Sequence, residues 1–477
     1  MSRFFRYLDE RFHVTRDGSS LQTEFFSGVT AYFTMVYILF LVPNTIMASF
    51  PEAFDDAGNL AQDVILSNGV SANDMLIALT MMACITAAIG TLILSCYANL
   101  PFAQGPSLAI STFVSYTLCI RMDYTYNEAL AAVFLSGIIF FVLIQLGVER
   151  KIQDAIPTNI KFAVTVGIGI FIAFMGLQKA HVVEANGKNL VQMVSIAEGG
   201  SYAASAILCL IGIVIIGIMM VKHIHGAILW GKLICIVLAI PLGLMHLSDF
   251  TFEFGALRAV KEALYLDFAG LFTPHGPWGT GGVLISVATI ISTLCIMDVF
   301  ETMGTIIATD YIITVSKEGN INERFTRVLR ADAISTTIGA LLGVTSVSTY
   351  VESTAMALEG GRTGLSGVVT AILFFLTILI APFASAIPSA ATATTLIMSG
   401  VLMVNAIKYI NFDDIDQAIP AFLTMIMMPL SYSLVTGIAV GLITHTLIVV
   451  FTGRVKYLKK GTVILALIFC LQFFLIQ

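Results

Sequence analysis

Three carboxylic acids stand inside long apolar stretches of this sequence of 477 residues. Asp298 and Glu301 are three residues apart and therefore share one face of a helix, whereas Glu352 lies in a separate apolar stretch. A carboxylate at membrane depth is costly when it is ionised and unpaired, and neither stretch contains a Lys or Arg that could pair with it. We therefore expect at least one of these acids to be protonated part of the time. Such acids can carry protons or accept the N–H groups of a ligand.

A purely structural explanation of the three acids is that they cap helices or stand at helix ends near water. The rest of the sequence points to no other chemistry. It contains no Walker loop, catalytic triad or metal-ligand spacing, and its seven cysteines have no paired spacing. The sequence therefore predicts neither an enzyme nor an ATP-driven pump, and it predicts no cofactor and no metal site.

The composition indicates a membrane protein. Hydrophobic residues make up 57% of the chain and charged residues only 11%, whereas a soluble domain carries about 25% charged residues. The apolar residues form continuous blocks of about 20, the length that crosses a hydrocarbon core of about 30 Å as a helix. The apolar blocks predict that the lipid bilayer surrounds the chain. The net charge of -6 argues against a nucleic-acid partner.

The apolar blocks predict an all-α polytopic fold with about fourteen spans. A last apolar run at 461–476 fits either an interfacial helix or a short additional span. The fourteen predicted spans are 22–48, 75–96, 102–119, 128–147, 157–180, 202–221, 225–245, 282–308, 331–344, 347–359, 364–383, 388–405, 419–432 and 433–451.

The distribution of Lys and Arg predicts the orientation. Basic residues concentrate in the N-terminal tail, after the fourth and eighth spans, and after the fourteenth span, whereas the first external loop has none. All four basic segments are cytoplasmic if the N-terminus is inside. We therefore predict a multi-pass protein of the inner (cytoplasmic) membrane whose N-terminal and C-terminal segments are both cytoplasmic.

The two halves of seven spans are expected to be related. The fifth span runs twelve residues from Pro157 to Gly169, and the twelfth runs twelve residues from Pro388 to Gly400. Because seven crossings per repeat invert the second copy, this organisation predicts the inverted repeats that are common in transporters.

The third and tenth spans are interrupted at corresponding positions. Residues 101–107 combine two prolines, a glycine and polar side chains, and residues 345–353 alternate small hydroxyls with apolar residues. Irregular backbone is tolerated at membrane depth only where it is buried in protein or lines a cavity. We therefore predict short strands followed by half-helices that form a site near the membrane midplane. The alternative is that both are ordinary packing helices rich in small residues.

Seven stretches of the chain carry a family resemblance. They lie at 26–38, 99–103, 298–305, 349–353, 360–364, 418–422 and 428–433, and together they extend over most of the chain. On these motifs the sequence resembles the nucleobase–cation symporters of the nucleobase–ascorbate type, in the AzgA-like branch of purine permeases.

The resemblance implies two inverted repeats of seven helices that build a core domain and a gate domain. The implied divisions are a cytoplasmic tail at 1–21, core segments at 22–156 and 282–387, gate segments at 157–245 and 388–452, an extracytoplasmic loop at 246–281, and a basic segment with a short apolar helix at 453–477.

The resemblance also implies roles for individual residues. Asp298 and Glu352 are expected to hydrogen-bond the purine, and Glu301 to support them or to help couple the proton. The remaining residues expected around the substrate are Tyr37, Ser107, Ser111 and the backbone near Tyr350 and Val351.

The chain departs from the family pattern at several of these positions. Ser111 stands where the branch has an Asn that helps to read the base, and a hydroxyl offers fewer donors than an amide. Pro43-Asn44 replaces an Asn-Pro order, Glu301 replaces an Asp, and Met356 replaces a usual Gly. These changes affect the pocket wall rather than the scaffold.

The leading hypothesis is proton-coupled uptake of a purine base, either guanine and hypoxanthine or adenine. The alternative is the same scaffold with a different nucleobase or another small substrate, and a small anion is disfavoured by buried carboxylates. A channel or a membrane enzyme has no support in the sequence. Na⁺ as the coupling ion and a homodimeric assembly both remain open at this point.

Overall fold

The computed structural model describes most of the chain. The described residues are 3–54, 61, 64–66, 69–147, 155–186, 190–195, 200–222, 224, 227–244, 265–274, 279–314, 321–353, 356–357, 359–386, 388–454, 456 and 458–476. The predicted extracytoplasmic loop at 246–281 lies mostly outside these residues.

The first half consists of nine helices and three short strands in the described residues. Two 3₁₀ turns follow α3, and a π-helical segment, Phe113–Arg121, continues α5. The elements are α1 (Arg3–Phe12), α2 (Leu21–Met35), α3 (Ile38–Ile46), α4 (Ala72–Ala98), β1 (Gln104–Pro106), α5 (Leu108–Thr112), α6 (Tyr126–Gln145), α7 (Thr158–Lys179), β2 (Val183–Asn186), β3 (Leu190–Met193), α8 (Gly200–Val221) and α9 (Ala227–Ala239).

The second half also has an interrupted third segment, which begins with β4. A 3₁₀ turn, Val351–Ser353, follows β4, and further 3₁₀ turns extend α13 and α14. The elements are α10 (Phe268–Leu271), α11 (Gly279–Thr314), α12 (Ile321–Leu341), β4 (Val347–Thr349), α13 (Gly364–Leu376), α14 (Ser389–Val404), α15 (Ile415–Ser431), α16 (Leu434–Phe451) and α17 (Lys460–Ile476).

The helices are long and apolar enough for a multi-pass membrane protein. Among the described residues, seven helical segments meet the length and hydropathy of a membrane span, and five shorter helices are also apolar. Thirteen of the predicted spans coincide with a helix, with a pair of successive helices or, in the third span, with a strand and its following helices. The tenth begins with β4 and a 3₁₀ turn, and part of the half-helix predicted after them lies outside the described residues. The ninth differs most, because α12 begins at Ile321 rather than at 331. The apolar run at 461–476 is the 17-residue helix α17, which packs on α16.

Local sequence explains where the main helices begin. The Ser71 hydroxyl accepts the Asp74 N–H at the start of α4, and Thr125 and Glu128 form a reciprocal capping box at the start of α6. Pro157 and Pro388 stand at the N-caps of α7 and α14, where a missing N–H has no cost.

The helices form two packed groups, and the short strands β1 and β4 pack on the first of them. In the first group α4 packs on α13 and α12, and α12 packs on α6. In the second group α7 packs on α14 and α15, and α15 packs on α16. The helix α11 contacts members of both groups, α6 and α7.

Corresponding elements of the two halves meet each other. The α7 and α14 helices cross at Gly169 and Gly400, where a Cβ on Gly169 would lie 2.7 Å from the Gly400 carbonyl oxygen. The strands β1 and β4 pair antiparallel, with Gln104 opposite Thr349, Gly105 opposite Ser348 and Pro106 opposite Val347. Elements that lie on a twofold axis must meet their own counterparts in this way, so the packing has the symmetry of an inverted repeat.

Candidate functional site

The site is built around the buried β1–β4 pair. Backbone hydrogen bonds continue the pairing past both ends of the three paired residues. The Ser107 N–H donates to the Ser346 carbonyl at 2.7 Å, and the Tyr350 N–H donates to the Ala103 carbonyl at 3.3 Å. Outside the pair, the Thr91 hydroxyl of α4 satisfies both the N–H and the carbonyl of Gln104 at 3.0 Å. A ladder this short persists inside the protein because its backbone groups are satisfied.

Asp298 lies in the middle of α11 and is buried, with 2% of its surface exposed. Each of its two oxygens already has a donor. The Ser346 hydroxyl donates to Oδ1 at 3.0 Å, and the Thr336 hydroxyl of α12 donates to Oδ2 at 3.1 Å. Asp298 therefore connects α11 to α12 and to the residues that lead into β4.

Glu301 lies one turn further along α11 and is partly exposed. The Ser107 hydroxyl donates to its Oε2 at 2.5 Å, and Ser348 of β4 lies next to the same carboxylate. The same Ser107 hydroxyl accepts the Ile110 N–H at 3.0 Å and so caps α5. Glu301 is thereby held at the start of the first half-helix.

Glu352 follows β4 in the 3₁₀ turn Val351–Ser353 and is also partly exposed. The Tyr37 hydroxyl donates to its Oε1 at 2.7 Å. Tyr37 Oη also lies 2.5 Å from the Ser399 hydroxyl of α14. Glu352 is therefore linked through one tyrosine to the first span and to a helix of the second group.

The side chain of Tyr350 fastens the two interrupted segments together. Its hydroxyl donates to the Pro106 carbonyl and accepts the Leu108 N–H at 3.1 Å. Its ring lies over Gly105, where an added Cβ would stand 3.4 Å from the ring. Its backbone carbonyl accepts the Ser353 N–H at 3.1 Å. The side chain of neighbouring Val351 lies outside the described residues.

Ser111 is fully buried in the first turns of α5. Its hydroxyl donates to the Ser107 carbonyl at 2.5 Å and is hydrogen-bonded to the Thr345 hydroxyl. The side chain therefore joins the third segment to the tenth.

A fourth carboxylate, Asp332 of α12, belongs to this cluster and was not singled out from the sequence. It is fully buried and accepts the Thr349 hydroxyl at 2.7 Å, the Gln104 amide and the Thr302 hydroxyl. It follows Arg330 and stands at the edge of the predicted ninth span, so it resembled a helix end near water. The sequence feature that could have identified it is the polar helix face formed by Asp332, Ser335 and Thr336.

Exposure divides the four acids into two pairs. Asp298 and Asp332 are buried and accept hydroxyl and amide donors from neighbouring elements. Glu301 and Glu352 are partly exposed. Within the described part of the chain, none of the donors to these four acids is a Lys or Arg side chain. The accessible pair can accept N–H groups from a small polar ligand, and the buried pair can hold the strands in place.

Comparisons with known proteins agree along nearly the whole chain. The sequence model described as the Permease family matches residues 22–440. A permease of Methanocaldococcus jannaschii is 33% identical over 469 residues, 98% of each chain. The guanine/hypoxanthine permease PbuO of Bacillus subtilis is 30% identical over 470 residues, 98% of this chain and 100% of the relative. The adenine permease AdeP of Escherichia coli is 30% identical over 465 residues, 98% and 95% of the two chains.

Two solved transporter structures share the architecture at low sequence identity. The transmembrane domain of the cyanobacterial bicarbonate transporter BicA has a TM-score of 0.58 at 17% identity, over 88% of this chain and 97% of that one. The murine anion transporter Slc26a9, in its inward-facing state, has a TM-score of 0.54 at 12% identity, over 95% and 73%. These matches confirm the predicted polytopic helical fold, and the strands β1 and β4 lie in its third and tenth segments as predicted.

Proposed function

The chain belongs to this Permease family, whose multi-pass membrane members are transporters rather than enzymes, and we propose that it takes up purine nucleobases together with protons. The bases proposed are guanine and hypoxanthine or adenine, which the names of the Bacillus subtilis and Escherichia coli relatives mention. The observation that carries the proposal is the pair of partly exposed acids, Glu301 and Glu352, held at the ends of two facing interrupted segments.

Purine recognition by two carboxylates follows from donor and acceptor chemistry. The edge of a purine base presents N–H groups, and an ionised carboxylate is an acceptor with about four lone-pair sites. Hydrogen bonds to a charged acceptor are shorter and stronger than neutral ones. We assign substrate contact to Glu301 and Glu352, and we assign Asp298 a supporting role because both of its oxygens already accept hydroxyls. This division differs from the roles that the family resemblance implied.

Proton coupling follows from placing several acids in one buried cluster. Two ionised carboxylates in a site of low dielectric repel each other, and a neutral base does not relieve that repulsion. Binding a proton on one acid does relieve it, so base and proton are expected to bind together and to move together. The energy source is then the proton gradient, with Na⁺ as the competing hypothesis.

Alternating access would use the two helix groups as separate bodies. We propose that the segments 22–156 and 282–387 form a core domain that carries the acids, and that 157–245 and 388–452 form a gate domain. The Tyr37–Ser399 contact lies at the boundary between them. We further propose insertion in the cytoplasmic membrane with the N-terminal and C-terminal segments inside.

A second candidate is the same transport of a different nucleobase or other small substrate. Ser111 favours it, because this hydroxyl is used inside the protein at a position where the family has an Asn that reads the base.

Uptake measurements separate these candidates. Cells that lack their own nucleobase permeases would express the protein and be given radiolabelled guanine, hypoxanthine, adenine, xanthine or uracil. We expect saturable uptake of a purine that stops with a protonophore and persists without Na⁺. Uptake of uracil alone would support the second candidate, and uptake that requires Na⁺ would overturn proton coupling.

A further inference from the structure

Lys232 is a buried cation at membrane depth that the proposed transport site does not use. It lies in the middle of α9 with 2% of its surface exposed. Its Nζ has no hydrogen-bond partner in the part of the chain that the structure describes. An ammonium inside a membrane protein is costly and is usually paired or functional. Lys232 is therefore expected to have a partner in another conformation.

The neighbour of Lys232 in this conformation is an aromatic ring. Its Nζ lies 5.5 Å from the centroid of the Phe40 ring in α3. A cation–π contact of this kind is weaker than an ion pair in the same surroundings. The contact therefore holds the ammonium without neutralising its charge.

Phe40 lies on a face of the first span that also leads to the acidic site. Tyr37, Phe40 and Asn44 are spaced three and four residues apart and so line one helix face. Tyr37 donates to Glu352, and the Asn44 carbonyl accepts the ammonium of Lys179 at 3.4 Å. One face of the first span therefore contacts Glu352 and two ammonium groups at successive turns.

The helix that carries Lys232 also packs on the helix that contacts Tyr37. The α9 and α14 helices pack together, and Ser399 of α14 lies against the Tyr37 hydroxyl. A slide of this pair along α3 by about one helical turn, about 5.4 Å, would move Lys232 from Phe40 towards Tyr37 and Glu352.

We propose that Lys232 is the counter-charge of Glu352 in the alternate conformation of the empty transporter. The inference rests on the proposed proton-coupled uptake. After the base leaves, Glu352 gives its proton to water on the cytoplasmic side, and the ammonium of Lys232 then pairs with the carboxylate. The empty transporter returns without a proton because the ion pair neutralises the site. Each proton that enters therefore accompanies a base.

Other titratable groups near this path are few in the described residues. They are Tyr37 at the N-cap of α3, Lys179 on α7, Cys209 on α8, Cys235 on α9, Glu301 on α11 and Tyr350 after β4. The α14 helix offers only hydroxyls such as Ser399. Of these groups, only Glu301 shares the sign of Glu352, and it is held by Ser107.

Exchange and net uptake distinguish this role from simple packing. Base exchange across the membrane needs only the loaded transporter, whereas net uptake also needs the empty one to return. We expect Lys232→Met to keep exchange within about 3-fold of wild type, which is about 0.6 kcal/mol. Net uptake should fall at least about 10-fold. Lys232→Arg keeps the charge and should retain both. Lys179→Met is the matched control, because that ammonium already has a carbonyl partner, and it should not separate the two rates.

Equal losses of exchange and net uptake in Lys232→Met, or no loss of either, would overturn the proposal. Absence of exchange in the wild type would instead count against the proposed function. Thermal unfolding of the purified, substrate-free protein then provides an independent test. The changes in melting temperature caused by Lys232→Met and Glu352→Gln should not add in the double variant, because the ion pair is lost only once. Additive shifts would overturn the pairing.

Discussion

The Tyr37 hydroxyl donates to Glu352 Oε1 at 2.7 Å and thereby links the first span to the turn that follows β4. The same hydroxyl lies 2.5 Å from Ser399 of α14, in the other helix group. A single tyrosine therefore bonds the acid to which we assign substrate contact and a hydroxyl of the proposed gate domain. These two hydrogen bonds of Tyr37 join the proposed substrate site directly to the proposed gate domain.

Removing the Tyr37 hydroxyl should weaken base binding without unfolding the protein. In Tyr37→Phe the ring still fills its buried space, but Glu352 loses a donor to its charged form, worth about 1.5–3 kcal/mol. We expect the KM for the transported base to rise about 10-fold to 100-fold, as measured by initial uptake rates. Tyr32→Phe is a control, because Tyr32 bonds Thr377 rather than an acid. An unchanged KM in Tyr37→Phe would contradict this role.

Glu301 and Asp298 should behave differently although they are one turn apart. Glu301→Gln alters a partly exposed acid and should abolish high-affinity base binding while the melting temperature stays within a few degrees. Asp298→Asn places an amide N–H₂ against buried hydroxyls, and each poorly satisfied group costs about 1–3 kcal/mol. We expect a lower melting temperature but near-normal affinity in the folded fraction. Thermal unfolding and binding of labelled base to purified protein check both. The reverse pattern would return substrate contact to Asp298.

The Ser107 hydroxyl makes two hydrogen bonds, and two substitutions can distinguish the effect of losing the hydroxyl from the effect of changing side-chain size. This hydroxyl caps α5 and donates to Glu301. Ser107→Ala should cost about 1 kcal/mol of stability through the lost cap and should also reduce base affinity. Ser107→Thr keeps the hydroxyl and should retain most affinity. Ser111→Ala removes a nearby hydroxyl that does not contact Glu301 and serves as a further control. Equal affinity in Ser107→Ala and wild type would contradict the link to Glu301.

The crossing of α7 and α14 should not tolerate a methyl group. A Cβ on Gly169 would lie 2.7 Å from the Gly400 carbonyl and 2.8 Å from the Met403 Cβ. Gly169→Ala is expected to push the helices apart and to lower the melting temperature by several degrees. Gly217→Ala on α8 is a matched control with nothing within 4 Å of its added Cβ, and it should be neutral or stabilising by up to about 1 kcal/mol. Similar effects at both positions would contradict the close crossing.

The interrupted third and tenth segments could be predicted because their residues are unusual at membrane depth. Two prolines and a glycine within 101–107 cannot continue a helix, and alternating hydroxyls at 345–353 suit an extended backbone. Such segments need partners for their backbone groups, and corresponding segments of an inverted repeat can supply them to each other. The antiparallel register of β1 and β4 realises this arrangement.

The contribution of Asp332 and Lys232 could not be predicted in the same way. Asp332 follows Arg330, so local sequence indicated a solvated helix end, and only the packing of α12 on α4 and β4 buries it. Lys232 lies near the start of the predicted seventh span, at its cytoplasmic end. A Lys at that end of a span is ordinary, so nothing in the sequence singled it out. Which of two acids on one face is accessible also depends on neighbouring helices. Asp298 is buried where the hydroxyls of Thr336 and Ser346 donate to its two oxygens.

The most direct test of the central claim is equilibrium binding of labelled guanine, hypoxanthine and adenine to purified protein. The wild type, Glu301→Gln, Glu352→Gln and Ser111→Ala would be compared, and proton uptake would be followed in weakly buffered solution with a pH indicator. The account predicts that a purine binds the wild type and Ser111→Ala with proton uptake, and that both Glu variants lose binding by about 100-fold or more. Wild-type affinity in both Glu variants, or purine binding without proton uptake, would contradict it.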